Sequence, residues 1–376
     1  MNRMGRCQMA AFGLAVMTAA CGASESQEAG EQVTPIKRAE LPPNEFTPVE
    51  LEATVDALVA EMNANPIQPM QMVVVLKQLS GFFAPIATGA NRAMGELGVT
   101  GNVLGPNNET QSGPTSQELQ NQQIEQAVAD GAEGIGVSPF DTSNAAAIDK
   151  AVAKGAHVVT LDTDASASQR SLYVGSLNAA AGATAATTLL SMLPPPPGTV
   201  LIHGTTVADW AEGYDRTVGA QGVLAAAGYT PLVSQAVFVG DDTFDVEWMR
   251  SQMVAADPPV VGMVGLFNIS YRCVMAADAA GTPDLPIVAF DFDPRTVDFM
   301  RQGRIKATHT QRQYYEGYLV PYILYGIKSI GLDATRTILR PLMKESDSEV
   351  NIGIDVVPSD KIDDYNDFLA SIGSIQ

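Results

Sequence analysis

The stretch IVAFDFDPRT, residues 287–296, is an apolar run that ends abruptly in Asp-Phe-Asp. The stretch VVTLDTDASA, residues 158–167, has the same arrangement and ends in Asp162-Thr163-Asp164. A short apolar run that is rich in β-branched residues and bounded by polar ones predicts a buried strand. Two such strands with matching acidic ends predict equivalent positions in two similar structural units.

The segments around these two stretches alternate between strand and helix patterns. MQMVVVLKQL, GNVLGP, EGIGVSP and HVVTLDTD are strand-like and separated by helix-like segments, and so are GTVLIHGT, TPLVSQAVFV, VVGMVGLF and PIVAFDFD. Such alternation favours right-handed βαβ units and a parallel sheet. The repeat predicts an α/β fold with two similar doubly wound parallel-sheet lobes. Ligands of open parallel sheets bind outside the carboxyl ends of the strands, so facing lobes would turn Asp162 and Asp291 toward one cleft.

Composition limits the classes of partner. The chain has 376 residues, 46% of them hydrophobic, which is enough for two domains with their own cores. It carries 22 basic and 42 acidic residues, a formal net charge of −20. That charge argues against nucleic acid and against anionic membrane surfaces as partners, because both require basic patches.

The N-terminus has the pattern of a bacterial lipoprotein leader. Residues 1–21 contain a short apolar segment, MAAFGLAVMTAAC, too short to span a bilayer. TAAC resembles a lipobox with Thr18 where leucine is commoner, which predicts lipidation of Cys21; ordinary signal cleavage nearby is the alternative. Residues 22–66 are acidic and rich in proline, and are predicted to be a tether between the anchor and the folded part.

Cysteine and histidine usage disfavours metal sites. Outside the leader and the predicted lipidation site only Cys273 remains, so no internal disulfide or cysteine cluster is expected. The three histidines show no metal-ligand spacing; they are His157, His203 and His309.

The first strand-to-helix turn also disfavours a nucleotide cofactor. It reads KQLSGFFAP, with one glycine, Gly81, followed by Phe82 and Phe83, which would block a pyrophosphate. Neither a phosphate-binding loop nor a G-x-S-x-G nucleophile turn occurs elsewhere in the sequence. We therefore expect no enzyme activity, no cofactor and no metal.

Polar and aromatic side chains instead gather at or near the predicted strand ends. Hydroxyl-rich ligands are held by planar hydrogen-bonding groups and by flat rings against their C–H faces. The candidates are Phe82, Phe83, Asp162, Trp210, Arg216, Asn268 and Asp291. Each also has a structural interpretation, such as helix packing for either phenylalanine or an N-cap for Asn268.

Six motifs in order resemble the periplasmic sugar-binding proteins of the ribose-binding type. They are SGFF, VTLDTD, YDRTVGA, GLFNISY, VAFDFDP and ATHTQRQYYEG, spread from Val73 to about Val357. The resemblance implies the type I substrate-binding fold, with two lobes around a ligand cleft and a three-segment hinge. It also implies a ligand set of Phe82, Phe83, Asp162, Arg216, Asn268 and Asp291, with Gln311 at a hinge crossing.

Two departures from the family pattern leave the ligand open. Ser80-Gly81 stands where the family usually has an Asn-X pair, and Thr163 stands where an arginine is common. Both remove hydrogen-bonding reach from the first lobe, for which Trp210 and Asp164 are possible substitutes. A pentose, a hexose, a sugar alcohol and a sugar-like signal all remain candidates.

The resemblance further implies discontinuous lobes and closure about a hinge. We expect lobe 1 to comprise residues 67–175 and 312–353, and lobe 2 to comprise residues 176–311 and 354–376. The crossings are expected near Tyr173 to Asn178, Thr310 to Gln313 and Ile354 to Val357.

The function expected from these features is that of a monomeric, lipid-anchored solute receptor in the periplasm or at the cell surface. It would bind a sugar or polyol and deliver it to the permease and ATPase of an ABC importer. The alternative is a receptor whose closed form is read by a membrane sensor kinase or chemoreceptor. A sugar-responsive repressor is disfavoured because a leader and an acidic segment stand where a helix-turn-helix would be needed.

Overall fold

The computed structural model describes residues 34–39, 41, 43–67, 70–106, 114–140, 142–208, 210–238, 241–343 and 346–374. The predicted leader and the predicted lipidation site, Cys21, lie outside these ranges. From Pro35 onward the chain forms one compact unit.

A six-stranded sheet forms the core of the first lobe. From one edge to the other its strands are β11 (Glu349–Asn351), β5 (Leu172–Gly175), β4 (His157–Leu161), β3 (Gly134–Val137), β1 (Gln71–Val75) and β2 (Thr100–Leu104). All of its neighbouring strands are parallel. Strands β3 and β5 are buried along their whole length, and β4 is buried after His157, which explains their continuous apolar runs.

A second six-stranded sheet forms the core of the other lobe. Its order is β12 (Asp355–Pro358), β10 (Ala307–Thr310), β9 (Ile287–Phe290), β8 (Val260–Gly265), β6 (Thr199–Gly204) and β7 (Thr230–Gln235). Its strands are parallel except β12, which runs antiparallel to β10. The predicted class of two parallel-sheet α/β lobes is confirmed, with this one antiparallel edge strand added.

Helices cover the two sheets. Those of the first lobe are α1 (Val49–Ala64), α2 (Ala84–Leu97), α3 (Pro114–Ala129), α4 (Ala145–Ala153), α10 (Gln313–Ile330) and α11 (Leu332–Leu339). Those of the second lobe are α5 (Asn178–Leu190), α6 (Ala211–Ala226), α7 (Asp242–Ala255), α8 (Tyr271–Ala279), α9 (Pro294–Arg301) and α12 (Ile362–Ser371).

Glycines allow one close helix pair in each lobe. A Cβ atom on Gly89 of α2 would lie 2.0 Å from the carbonyl oxygen of Tyr314 on α10. A Cβ atom on Gly182 of α5 would lie 1.8 Å from the carbonyl oxygen of Arg216 on α6. Only glycine permits this approach, so α10 and α6 are held directly against their neighbours.

The chain passes between the two sheets three times. The connections are residues 176–177 between β5 and α5, 311–312 between β10 and α10, and 352–354 between β11 and β12. Arg312 joins two of them, because its Nη2 donates to Asp355 Oδ1 at 2.7 Å and its Nη1 to the Ile352 oxygen at 2.7 Å. The third crossing was expected near Ile354 to Val357; residues 355–357 belong to β12, and neither β11 nor β12 was predicted from the sequence.

The segment before the first strand is part of the folded unit. Helix α1 buries Leu51, Val55, Leu58 and Met62 against α10 and α11. The residues that precede it, 35–48, are called the N-terminal strap below; residues 40 and 42 of it are not described. The prediction of a tether through residue 66 is therefore wrong from Pro35 on, because the apolar face of α1 packs onto the first lobe.

Among the described residues, no helix has the length and apolar character needed to cross a bilayer. Within the same residues no cluster of three potential metal ligands occurs. Cys273 is free and buried in α8, and burial raises the pKa of its thiol.

Candidate ligand-binding cleft

A cavity of about 460 Å³ lies between the carboxyl ends of the two sheets. All eight residues singled out from the sequence line it: Phe82, Phe83, Asp162, Trp210, Arg216, Asn268, Asp291 and Gln311. The interpretation of Asn268 as a helix cap does not hold, because the N-cap residue of α8 is Ser270.

The two strand-end aspartates adopt the same backbone conformation. Asp162 has φ 62° and Asp291 has φ 66°, in the left-handed region that aspartate tolerates better than most residues. In each lobe a hydroxyl fixes the turn: Tyr173 Oη donates to the Asp162 carbonyl at 2.8 Å, and Thr308 Oγ1 to the Asp291 carbonyl at 2.6 Å. The turns aim both carboxylates into the cavity. The first aspartate of each Asp-X-Asp pattern therefore lies at an equivalent position in its lobe and faces the same cavity.

The first lobe supplies a cation that sequence analysis missed. Lys77 follows β1, and its Nζ lies 3.0 Å from Asp162 Oδ2 and 2.5 Å from Thr163 Oγ1. Ser138 Oγ donates to the same Asp162 oxygen at 2.8 Å. Lys77 thus stands beside the position where Thr163 replaces the arginine common in the family. Asp164 does not line the cavity, because its carboxylate pairs with Arg170.

The second lobe holds a buried guanidinium. Arg216 is 4% exposed; its Nη1 donates to the Leu266 oxygen at 2.8 Å, and its Nη2 to Asn178 Oδ1 and Gln311 Oε1, each at 2.7 Å. Its guanidinium also lies 4.2 Å from the centre of the Phe290 ring. Burial lowers the pKa of Arg216, which the nearby Asp291 opposes. The side chain is fixed before any ligand arrives.

Asp291 is the most perturbed carboxylate of the cavity. It is 4% exposed, and burial raises its pKa to about 6, although Arg216 and hydrogen bonds from Gln311 Nε2 and the Asn268 backbone act in the other direction. The Gln311 bond to Asp291 Oδ1 measures 2.9 Å. Gln311 therefore links Arg216 to Asp291 at the second crossing between the lobes.

Two further carboxyls were not found from the sequence. Glu212 lines the cavity from α6 and crosses to the first lobe, where its Oε1 accepts the Asp164 backbone N–H at 2.9 Å. Glu316 of α10 is completely buried, and neither of its oxygens has a partner among the described residues. Burial, followed by Asp162 and Asp291, raises the pKa of Glu316 well above its usual range. Helix positions such as these carry no strand-end signal.

The three histidines do not line the cavity. His203 Nε2 lies 2.9 Å from Asp245 Oδ2 in the interior of the second lobe, and His309 Nδ1 lies 2.8 Å from the Ala289 oxygen. Burial lowers the pKa of His309 to about 4. His203 and His309 therefore pack within the second lobe, and His157 begins β4 of the first lobe.

The comparisons with known proteins identify the family. The periplasmic binding protein domain matches residues 72–329, more than half of the chain, and the chain belongs to this family. Membership confirms the predicted resemblance, the solute-binding role and the expectation that the chain is not an enzyme. It also implies a periplasmic or extracellular location. No curated protein matches the chain.

Solved structures share the fold at low sequence identity. An ABC transporter solute-binding protein from Burkholderia graminis C4D1M, in complex with D-arabinose, is 24% identical with a TM-score of 0.63 over 79% of this chain and 98% of that chain. A carbohydrate transporter from Acidothermus cellulolyticus 11B, in complex with myo-inositol, is 20% identical with a TM-score of 0.62 over 82% and 100%. A chain of the XylFII–LytSN complex is 22% identical with a TM-score of 0.60 over 78% and 99%.

Proposed function

We propose that this protein captures a monosaccharide or a similar polyhydroxylated molecule in the cleft and delivers it to an ABC import permease. The observation that carries the proposal is the meeting of charged and amide groups from both lobes around one cavity. Lys77 and Asp162 face it from the first lobe, Arg216 and Asp291 face it from the second, and Gln311 faces it from the second crossing. Such planar donors and acceptors suit neighbouring hydroxyls.

Capture proceeds by closure of the lobes about the three crossings. The moving bodies are residues 67–175 with 312–353, and residues 176–311 with 354–376. A ligand that contacts both lobes favours the closed arrangement, because only a difference in affinity between the two states shifts their populations. The D-arabinose and myo-inositol bound in two structures of similar fold, a sugar and a cyclic polyol, support a ligand of this class.

In its setting, the receptor is a monomer attached to a membrane through lipidated Cys21, and its partners are the permease and ATPase subunits. The sequence pattern TAAC supports the anchor. Metabolic labelling with a fatty-acid analogue tests it: wild type should incorporate the label and Cys21→Ala should not. Label that persists in Cys21→Ala would contradict the assignment.

The proposal is tested by a thermal-unfolding screen. The chain carrying Cys21→Ala is heated with pentoses, hexoses, polyols and nucleosides, each in large excess. A ligand present at 100 times its dissociation constant should add about 2.7 kcal/mol to the free energy of unfolding, a shift of several degrees. Arg216→Ala should abolish the shift. Absence of a shift with every hydroxylated compound would contradict a sugar-like ligand.

A second candidate is a receptor that presents its bound ligand to a membrane sensor. The XylFII–LytSN complex favours it, since that structure pairs a chain of this fold with a second component. Pull-down of membrane proteins with and without the ligand separates the two: transport predicts recovery of a permease, and signalling predicts recovery of a sensor.

A further inference from the structure

Six aromatic side chains line the cavity, three from each lobe. Phe82, Phe83 and Phe140 belong to the first lobe, and Trp210, Phe238 and Phe267 to the second. In the second lobe the indole of Trp210 stacks on Phe267 with centroids 4.7 Å apart, and Phe238 meets both rings edge-on at 5.4 and 5.3 Å. A single monosaccharide offers two C–H faces, which two rings cover. The aromatic surface exceeds what such a ligand occupies.

The second-lobe rings are graded from the interior to the outside. The guanidinium of Arg216 lies 5.9 Å from the Phe267 centroid, and Phe267 is 4% exposed. Trp210 is half-buried and Phe238 is 47% exposed. The cavity thus runs from a polar inner end at Arg216 to an aromatic outer end at Phe238. Exposed aromatic surface inside a cleft favours an apolar occupant.

We propose that the ligand is a glycoside, in which a sugar ring occupies the polar end and a linked flat, apolar ring occupies the aromatic end. This rests on the proposed function and deepens it. Aryl glycosides and nucleosides share the required chemistry. The hydroxyls of the sugar meet Arg216 and Asp291, and the flat ring lies among Trp210, Phe238 and Phe267.

Matched pairs of ligands test the glycoside proposal by calorimetric titration. Methyl and phenyl β-D-glucopyranosides, and D-ribose with adenosine and inosine, separate the contribution of the second ring from that of the sugar. At least one aryl or base-bearing member should bind about tenfold more tightly than its matched partner. Phe238→Ala should remove most of that preference. Phe244→Ala, a 66% exposed phenylalanine outside the cavity, is the matched control.

The outcomes of this test are distinct. Equal or tighter binding of the free sugars or methyl glycosides would overturn the glycoside proposal and leave the proposed function standing; the outer rings would then pack on one another when the lobes close. Failure of every hydroxylated compound to bind would overturn both. Preference for adenosine and inosine over the phenyl glycoside identifies a nucleoside, and the reverse order identifies an aryl glycoside.

An independent observation concerns the N-terminal strap. On the first lobe, Ile36 exchanges two backbone hydrogen bonds with the Asn63 side chain, at 2.8 and 3.0 Å, and the Ala39 N–H donates to Glu96 at 3.1 Å. Further along, the strap reaches α12 of the second lobe: Phe46 meets Tyr365 edge-on at 5.0 Å. The strap therefore contacts both lobes, and it precedes the region that the family profile matches.

The contact with α12 leads directly to the hinge. Tyr365 Oη lies 2.6 Å from Oγ1 of Thr310, which immediately precedes the second crossing, and donates at 3.2 Å to Oδ2 of Asp355, which immediately follows the third. Glu45 adds an ion pair with Lys361, at 3.0 Å. Through Tyr365, the strap is thus in contact with residues next to two of the three crossings, about which the lobes rotate when they open.

We infer that the strap is a fourth tie between the lobes, which restrains their opening in the ligand-free protein. Spin labels at the exposed positions Lys154 and Glu247 report the distance between the lobes in the full chain with Cys7 and Cys21 replaced by alanine. Phe46→Ala should lengthen and broaden the distance distribution relative to the same chain with Phe46. Val49→Ala, 74% exposed beside the strap, should leave it unchanged. An unchanged distribution in Phe46→Ala with a lower melting temperature would reduce the strap to a packing element and overturn the inference.

Discussion

The protonation state of Asp291 affects both the stability of the protein and its affinity for ligand. Its pKa of about 6 lies above the ordinary value of 3.8 because the carboxyl is buried. In the ligand-free protein, protonation of Asp291 therefore contributes stability that is fully present below pH 4 and is lost as the pH rises through 6. Ligand hydroxyls that donate to the carboxylate favour its charged form, so the effect of pH on affinity has the opposite sign.

We expect affinity for the ligand to be full near pH 7.5, where Asp291 is charged, and to fall about tenfold by pH 5, the loss of one charge-assisted hydrogen bond. Titration calorimetry across this range measures it. Asp291→Asn should bind weakly at every pH and lose the dependence. A variant that retained the wild-type pH profile would show that another group is titrating.

Lys77 is the residue that sequence analysis overlooked in the first lobe. It ends the run MQMVVVLK, where it is indistinguishable from a solvated strand end. Its ammonium reaches Asp162 only because β1 and β4 end on the same side of the sheet, on either side of β3. Lys77→Met keeps most of the side-chain volume and removes the cation. We expect about a tenfold loss of affinity, with Lys154→Met, on an exposed position, as the neutral control. Equal losses in the two variants would indicate a general effect of charge.

At the scale of elements, the α5–α6 contact positions the buried guanidinium. Because a Cβ atom at Gly182 would lie 1.8 Å from the Arg216 carbonyl oxygen, Gly182→Ala must displace α6. We expect about 1–3 kcal/mol of lost stability, measured by chemical denaturation, and weaker ligand binding in calorimetry. Gly222 lies on α6, and a Cβ atom added there would have no atom within 4 Å. Gly222→Ala should therefore be neutral or stabilise by less than about 1 kcal/mol. Normal binding by Gly182→Ala would mean that α6 tolerates the shift.

At the scale of the whole molecule, local sequence patterns were sufficient to predict most of the fold. The alternation of strand and helix segments and the two Asp-X-Asp ends led to two lobes and a shared cleft, since both signals are contained in short windows of sequence. The docking of α1, the short strands β11 and β12 and the reach of Glu212 to Asp164 depend on contacts between distant segments. No local pattern distinguishes a packed amphipathic helix from one in a tether, which is why residues 35–66 were misjudged.

The central claim, that both lobes hold one ligand, is tested most directly by calorimetric titration of the best ligand from the screen into two variants, one from each lobe. Asp162→Asn in the first lobe and Asp291→Asn in the second should each weaken binding at pH 7.5 by at least about tenfold, since each removes a charged acceptor. Wild-type affinity in either variant, with unchanged stability, would mean that one lobe alone binds the ligand and would contradict capture by closure.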